Sequence, residues 1–337
     1  MNGSPRSNDD KTGHHLAPVI GVTGLLALLG VGLAVAAYLR RYVIHDAPMT
    51  AALSGELHDI HTSAGRLAYY MSAPAHHSLL SSSRAQPPLV FFHSINAAAS
   101  SYEIKPLYEH YAKTRSVYSL DLPGFGFSER RNRRYSPRIY RDAMNDFVGK
   151  VSSGTPVDAV ALSLSSEFLA QAALERPKLY RTLTFITPTG FTVRSMRSRA
   201  NGALLRLLLV PAWSRILFDL VTSRPSIRYY TRLLFGAAGN RAFERYAYMT
   251  SHQPDAQYAP FYFLAGMLFT PAIFTTYSRL TQPVLVAQGR GNFTRSELLA
   301  NLLDKPNWRV ADFERCRDLV HFDDLEGLVT EIDRHLG

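Results

Sequence analysis

In the stretch "AVALSLSSEF", Ala159 to Phe168, Ser163 has a small residue two places before it, Ala161, and another two places after it, Ser165. A serine hydroxyl is a weak nucleophile until a base takes its proton and nearby donors hold the charge that develops on the attacked carbonyl. The spacing bears on that chemistry. A nucleophilic serine on a sharp strand-to-helix turn leaves room only for small neighbours two residues to either side. The flanks meet this need: "VDAVAL" reads as a buried strand, and "SSEFLAQAALERP" has helical spacing with Pro177 just past its end. A helix that starts at the serine aims free N–H groups and its positive dipole end at the site, so the N–H of Leu164 is a candidate oxyanion donor.

The rest of the chain sets this unit in a series. "ELHDIHTSAGRLAYYMSAP" reads as two strands joined at Ala64-Gly65, and "LVFFH" as a short buried strand. Helix-like "SYEIKPLYEHYAK", strand "SVYSLDLPG", helix "RIYRDAMNDFVGKV", the serine unit and strand "LYRTLTFITPTG" follow. Strands alternating with helices predict parallel crossovers and a mostly parallel, doubly wound α/β sheet. The alternation stops after Gly190, a helical, arginine-rich stretch runs to about residue 275, and "QPVLVAQG" returns to the sheet. A strand near "NWRVADF" and the amphipathic helix "LEGLVTEIDRHL" close the chain. The expected organisation is a polar tail (1–15), an apolar helix (16–39), a linker (40–55) and one α/β domain (56–337) with a helical cap at about 191–275.

Four segments, taken in order, resemble the cap-bearing, single-domain α/β-hydrolases. They are "VFFHSINAAASSYEI" at the oxyanion loop, "SLDLPGFGFSER" after the fourth strand, "VDAVALSLSSEFLAQAALERP" at the serine, and "HFDDLEGLVTEIDRHL" at the end. The resemblance implies that Ser163 is the nucleophile and that His321, in a loop before the last helix, is the general base. It gives His93 a structural part in the oxyanion loop, where the N–H of Ser94 or Ile95 would complete the oxyanion hole beside Leu164. Most members carry the third catalytic residue as aspartate after the seventh strand, and here Asn292 stands at that place. Asparagine orients a histidine without stabilising the imidazolium, a replacement that costs about 10⁴ in kcat in a serine triad. Asp312, Asp318 and Glu297 are alternative acids without motif support. Serine chemistry of this kind calls for no metal or organic cofactor, and no His/Cys/Asp/Glu cluster has metal-ligand spacing. Gly124-Phe125-Gly126 lacks the third glycine and downstream acid of a dinucleotide site.

Charge and hydropathy place the chain at a membrane. Leu16 to Leu39 carries no charge, matches the roughly 20 residues that cross a hydrocarbon core, and is followed at once by Arg40-Arg41. A cleavable signal peptide ending at Ala34-Val35-Ala36 and a buried core helix compete with this reading. A single-pass anchor fits better, with Arg40-Arg41 favouring a cytoplasmic main domain. The formal net charge of +10 is local: Phe191 to Thr250 holds ten arginines against two acids, Asp219 and Glu244. Leucines and aromatics alternate with these arginines, a pattern suited to a solvated cap or to anionic headgroups. No nucleic-acid module accompanies it. The expected function is a membrane-anchored serine hydrolase cleaving an ester or thioester of an apolar acyl or lipid-like substrate. The alternative is a catalytically silent scaffold of the same fold that binds a lipid or protein partner at the membrane.

Overall fold

The computed structural model describes Ala34, Arg41 and residues 43–74, 86–192, 200–236, 238–291 and 297–337. The chain divides into two compact units, Met1–Val43 and Ile44–Gly337. The expected membrane helix at 16–39 lies, apart from Ala34, outside the described residues. Among the described residues no helix is long and apolar enough to cross a membrane.

The second unit is built on one eight-stranded sheet. Its strands are β1 (Glu56–Thr62), β2 (Gly65–Ser72), β3 (Leu89–Phe92), β4 (Val117–Leu120), β5 (Val157–Leu162), β6 (Tyr180–Ile186), β7 (Val284–Gly289) and β8 (Trp308–Phe313). Their order across the sheet is β1-β2-β4-β3-β5-β6-β7-β8. The β1–β2 hairpin turns at Gly65 and joins β4 antiparallel, and every later pairing is parallel. Helices α1 (Lys105–Tyr111), α2 (Pro137–Val151) and α3 (Ser165–Glu175) cross between strands, and α10 (Val320–Asp323) and α11 (Leu325–Leu336) end the chain.

The period-two pleat of β3 divides the core between the two faces of the sheet. Val90 and Phe92 pack in one cluster with Phe147 of α2 and Phe168 of α3. Leu89 and Phe91 pack in another with Tyr108 of α1 and Ile332 of α11. Both faces are therefore covered, which is why "LVFF" and "VDAVAL" read as continuous buried runs. The one charge in β5, Asp158, is buried but paired with Arg115 and Arg181, each at 2.7 Å, as a buried carboxylate requires.

Among the described residues six helices lie between β6 and β7: α4 (Gly202–Leu208), α5 (Ser214–Val221), α6 (Arg224–Phe235), α7 (Arg241–Ser251), α8 (Tyr258–Leu264) and α9 (Ile273–Ser278). Strand β3 leads through α1 to β4 on one side of it, and β4 leads through α2 back across β3 to β5 on the other. The crevice beyond the carboxyl ends of β3 and β5 is therefore the switch point of the sheet, where α/β folds bind ligands.

Candidate active site

Ser163 follows the last residue of β5 and has φ +49°, in the left-handed region. For a residue with a Cβ that conformation costs roughly 1–2 kcal/mol, and it persists only where the surroundings enforce it. Here the N–H of Ser163 donates to the Ile186 carbonyl of β6 at 2.9 Å, and its carbonyl accepts from Ser166 as α3 begins. The chain must reverse within one residue. Ser163 is partly exposed between the buried Leu162 and Leu164.

The expectation that Ser165 is merely small is incomplete. Its hydroxyl donates to the His93 carbonyl at 2.5 Å, fastening α3 to the end of β3. His93 is buried, accepts the Leu122 N–H on Nε2 at 2.9 Å, and thus carries its proton on Nδ1, which meets the Ser94 carbonyl at 2.7 Å. Asp121 accepts from the N–H groups of Ser101 and Phe127, both at 2.9 Å. Gly126, φ +52°, lies so near this carboxylate that a Cβ would stand 2.0 Å from its carbon. The loops after β3 and β4 are thereby fastened to each other.

Among the described residues, the N–H groups of Leu164, just after the serine, and of Ile95, in the loop after β3, find no protein acceptor. Of the two residues the sequence left open, Ser94 is already committed. Its N–H donates to the buried Glu103 carboxylate at 2.9 Å, and Asn96 donates to the other carboxylate oxygen at 2.6 Å. A donor held by a carboxylate does not serve a developing oxyanion, so Ile95 is the second candidate donor.

His321, on α10, is fully buried. Its Nε2–H donates to the Glu103 carbonyl at 2.5 Å, and Nδ1 is buried with no hydrogen-bond partner. Burial pushes the imidazole pKa down to about 4, against a weaker upward pull from that carbonyl. The ring is therefore neutral near pH 7 and keeps an open lone pair. No hydrogen bond links it to Ser163. Asn292 lies outside the described residues. Asp318 is buried three residues before His321, and a Cβ on Gly291 would stand 1.9 Å from its carboxylate. Its carbonyl accepts from Thr187 at 2.8 Å. Asp312 lies in β8 and Glu297 just before the turn at Leu299–Leu302.

The sheet order, a left-handed serine between β5 and α3, and a histidine before the last helix meet in a sequence whose residues 89–331 match the model of the alpha/beta hydrolase family. The chain belongs to that family. No curated protein matches its sequence. Among solved structures it is similar to a serine hydrolase involved in carbazole degradation (15% identity, 83% of this chain and 99% of that one, TM-score 0.63). It is also similar to a meta-cleavage product hydrolase from Pseudomonas fluorescens IP01 (16%, 82% and 96%, 0.61). A third is a thermophilic esterase from Thermogutta terrifontis (14%, 84% and 98%, 0.60). At these identities the likeness concerns the alpha/beta hydrolase fold.

Two carboxylates near the serine escape a sequence reading. Glu103 stands three residues after Ser100, the spacing of a helix-start capping box, yet its side chain serves the loop before it. Glu167, one turn into α3, accepts from Thr189 Oγ1 at 2.6 Å and from the Thr270 N–H at 2.8 Å. Burial raises its pKa to about 7, opposed by those hydrogen bonds. Thr189 comes just after β6 and Thr270 just before α9, so this carboxyl joins the start and a late part of the β6–β7 connection to the helix of the serine. An open groove of about 550 Å³ lies along the edge strand β8 and α11, and Ser163 does not line it.

Proposed function

We propose that this alpha/beta hydrolase is a membrane-anchored serine hydrolase that cleaves an ester or thioester of an apolar acyl substrate through an acyl-enzyme. The observation that carries the reading is Ser163 at φ +49° beside the unpartnered N–H of Leu164. A strained turn that lifts a hydroxyl to the carboxyl end of the sheet has an evident use in presenting it to a carbonyl.

In this scheme the neutral His321 takes the Ser163 proton as Oγ attacks the acyl carbon. The N–H groups of Leu164 and Ile95 hold the oxyanion, and the imidazolium returns its proton to the leaving alcohol or thiol. Water then enters, gives its proton to His321, and releases the acid as Oγ is reprotonated. For this, His321 exchanges its bond to Glu103 for one to Ser163. Asn292 is the proposed orienter of the ring. Residues 16–39 would form the single-pass anchor, with the main unit on the cytoplasmic side, and the helices between β6 and β7 would cap the serine and admit lipid-like substrates. The fold is shared by proteins described as a serine hydrolase and an esterase, an analogy in the same direction.

The test is hydrolysis of p-nitrophenyl esters and acyl thioesters of increasing chain length by the detergent-solubilised full chain beside Ser163→Ala. Turnover that rises with acyl length and vanishes in the variant supports the reading, and turnover equal in both refutes it. One observation favours the alternative of a silent scaffold binding a lipid or protein partner at the membrane: His321 points Nε2 at Glu103 and leaves Nδ1 unpartnered.

A further inference from the structure

Nine large hydrophobic side chains are exposed among the described residues, and five of them, Leu207, Trp213, Leu220, Tyr229 and Tyr230, fall on or beside α4, α5 and α6. Scattered singly they would need no explanation, but this concentration does. They are neighbours in space as well. The Trp213 indole N–H donates to the Leu207 carbonyl at 2.9 Å. Trp213 caps the start of α5 and Leu220 follows it seven residues later on that helix, the spacing of two helical turns. Helix α5 packs against α6, where the rings of Tyr229 and Tyr230 touch with centroids 5.4 Å apart.

The charge around them has one sign. Arg224, Arg228 and Arg232 recur every four residues along α6, all exposed. Like charges at that spacing repel and weaken a free helix. The acids between Phe191 and Thr250 do little to offset them. Asp219 is buried and held by Arg215 and His45, each at 3.0 Å, and Glu244 reaches Arg228 only at 3.9 Å. Exposed aromatics and leucines among unneutralised arginines suit a surface that is anionic outside and apolar beneath. A soluble polyanion would satisfy the arginines and leave Trp213 and the tyrosines in water. The His45–Asp219 contact also fixes where the chain enters this unit, at α5.

We infer that the α4–α6 face is a docking surface for an anionic lipid bilayer, with Trp213, Leu207 and Leu220 entering the interface and the α6 arginines meeting headgroup phosphates. The inference does not require Ser163 to be active.

Trp213 supplies the test, since the only other tryptophan, Trp308, is buried. The full chain and Trp213→Phe are reconstituted with bromine-labelled phosphatidylcholine, with and without phosphatidylglycerol, and the Trp213 emission is taken as their difference. The expected result is a blue-shifted Trp213 component, mostly quenched when phosphatidylglycerol is present and several-fold less quenched without it. Arg228→Gln combined with Arg232→Gln should weaken the phosphatidylglycerol-dependent quenching by on the order of ten-fold or more in lipid concentration. A Trp213 component unquenched in both lipids overturns the inference and leaves the face to a protein partner. Equal quenching in both overturns the role given to the arginines. Fluorophosphonate labelling of the same vesicles reports the serine separately, so docking and catalysis fail independently.

Discussion

The main-chain carbonyl of Glu103 holds His321 by Nε2 at 2.5 Å while the Glu103 carboxylate holds the N–H of Ser94. One residue thus holds both the proposed base and the loop after β3 that carries the proposed oxyanion donor. Replacing Glu103 with alanine leaves the buried Ser94 N–H without its acceptor, a loss of about 1–3 kcal/mol. Glu103→Ala should lower the denaturation midpoint in urea accordingly, while Glu103→Gln, which still offers an acceptor, should lose less.

Ser163 sits in a left-handed conformation that glycine adopts freely. Ser163→Gly should raise stability by about 1 kcal/mol, read as a higher thermal midpoint, whereas Ser163→Ala should leave it nearly unchanged. Loss of stability in the glycine variant would contradict the strain.

His321 has a folded-state pKa near 4, depressed by burial from its ordinary value near 6.5. Between those values the unfolded chain binds the extra proton, so its contribution is complete above about pH 6.5 and is lost as pH falls toward 4. The buried His252 and the half-buried His335 are lowered in the same direction. His321→Gln, whose amide can still donate to the Glu103 carbonyl, should therefore show a shallower loss of stability from pH 6.5 to 4 than the native chain. Urea midpoints across that range are the measurement.

Glu167 has the opposite sign. Its folded-state pKa is raised to about 7, so the folded state binds the extra proton and stability falls as pH climbs from about 4.5 to 7. Glu167→Gln keeps the two threonine contacts within reach of a neutral amide. It should gain on the order of 1–3 kcal/mol relative to the native chain between pH 5 and pH 8, and an unchanged difference would refute a buried, titrating carboxyl.

The sheet was legible because its parallel strands are buried on both faces and punctuated by Pro and Gly, so that "LVFF" and "VDAVAL" cannot be anything but interior. The turn at Ser163 was legible because its small neighbours and the helix beyond it lie within a few residues. What sequence reasoning missed is non-local. Glu167 meets Thr270, a hundred residues later, and His321 meets Glu103 from the far end of the chain. The commitment of Ser94 was hidden for a different reason: the Ser100–Glu103 spacing is also that of a helix start, and only packing decides which backbone N–H the carboxylate takes. Asn292 lies outside the described residues, so the third catalytic position rests on sequence alone.

The most direct measurement is covalent labelling of the detergent-solubilised full chain with a fluorophosphonate, read by intact mass and peptide mapping, beside Ser163→Ala and His321→Ala. The account predicts one adduct on Ser163, no adduct in Ser163→Ala, and a labelling rate reduced by on the order of 10²-fold or more in His321→Ala. A folded native chain that takes no label, or one labelled at another residue, would contradict it.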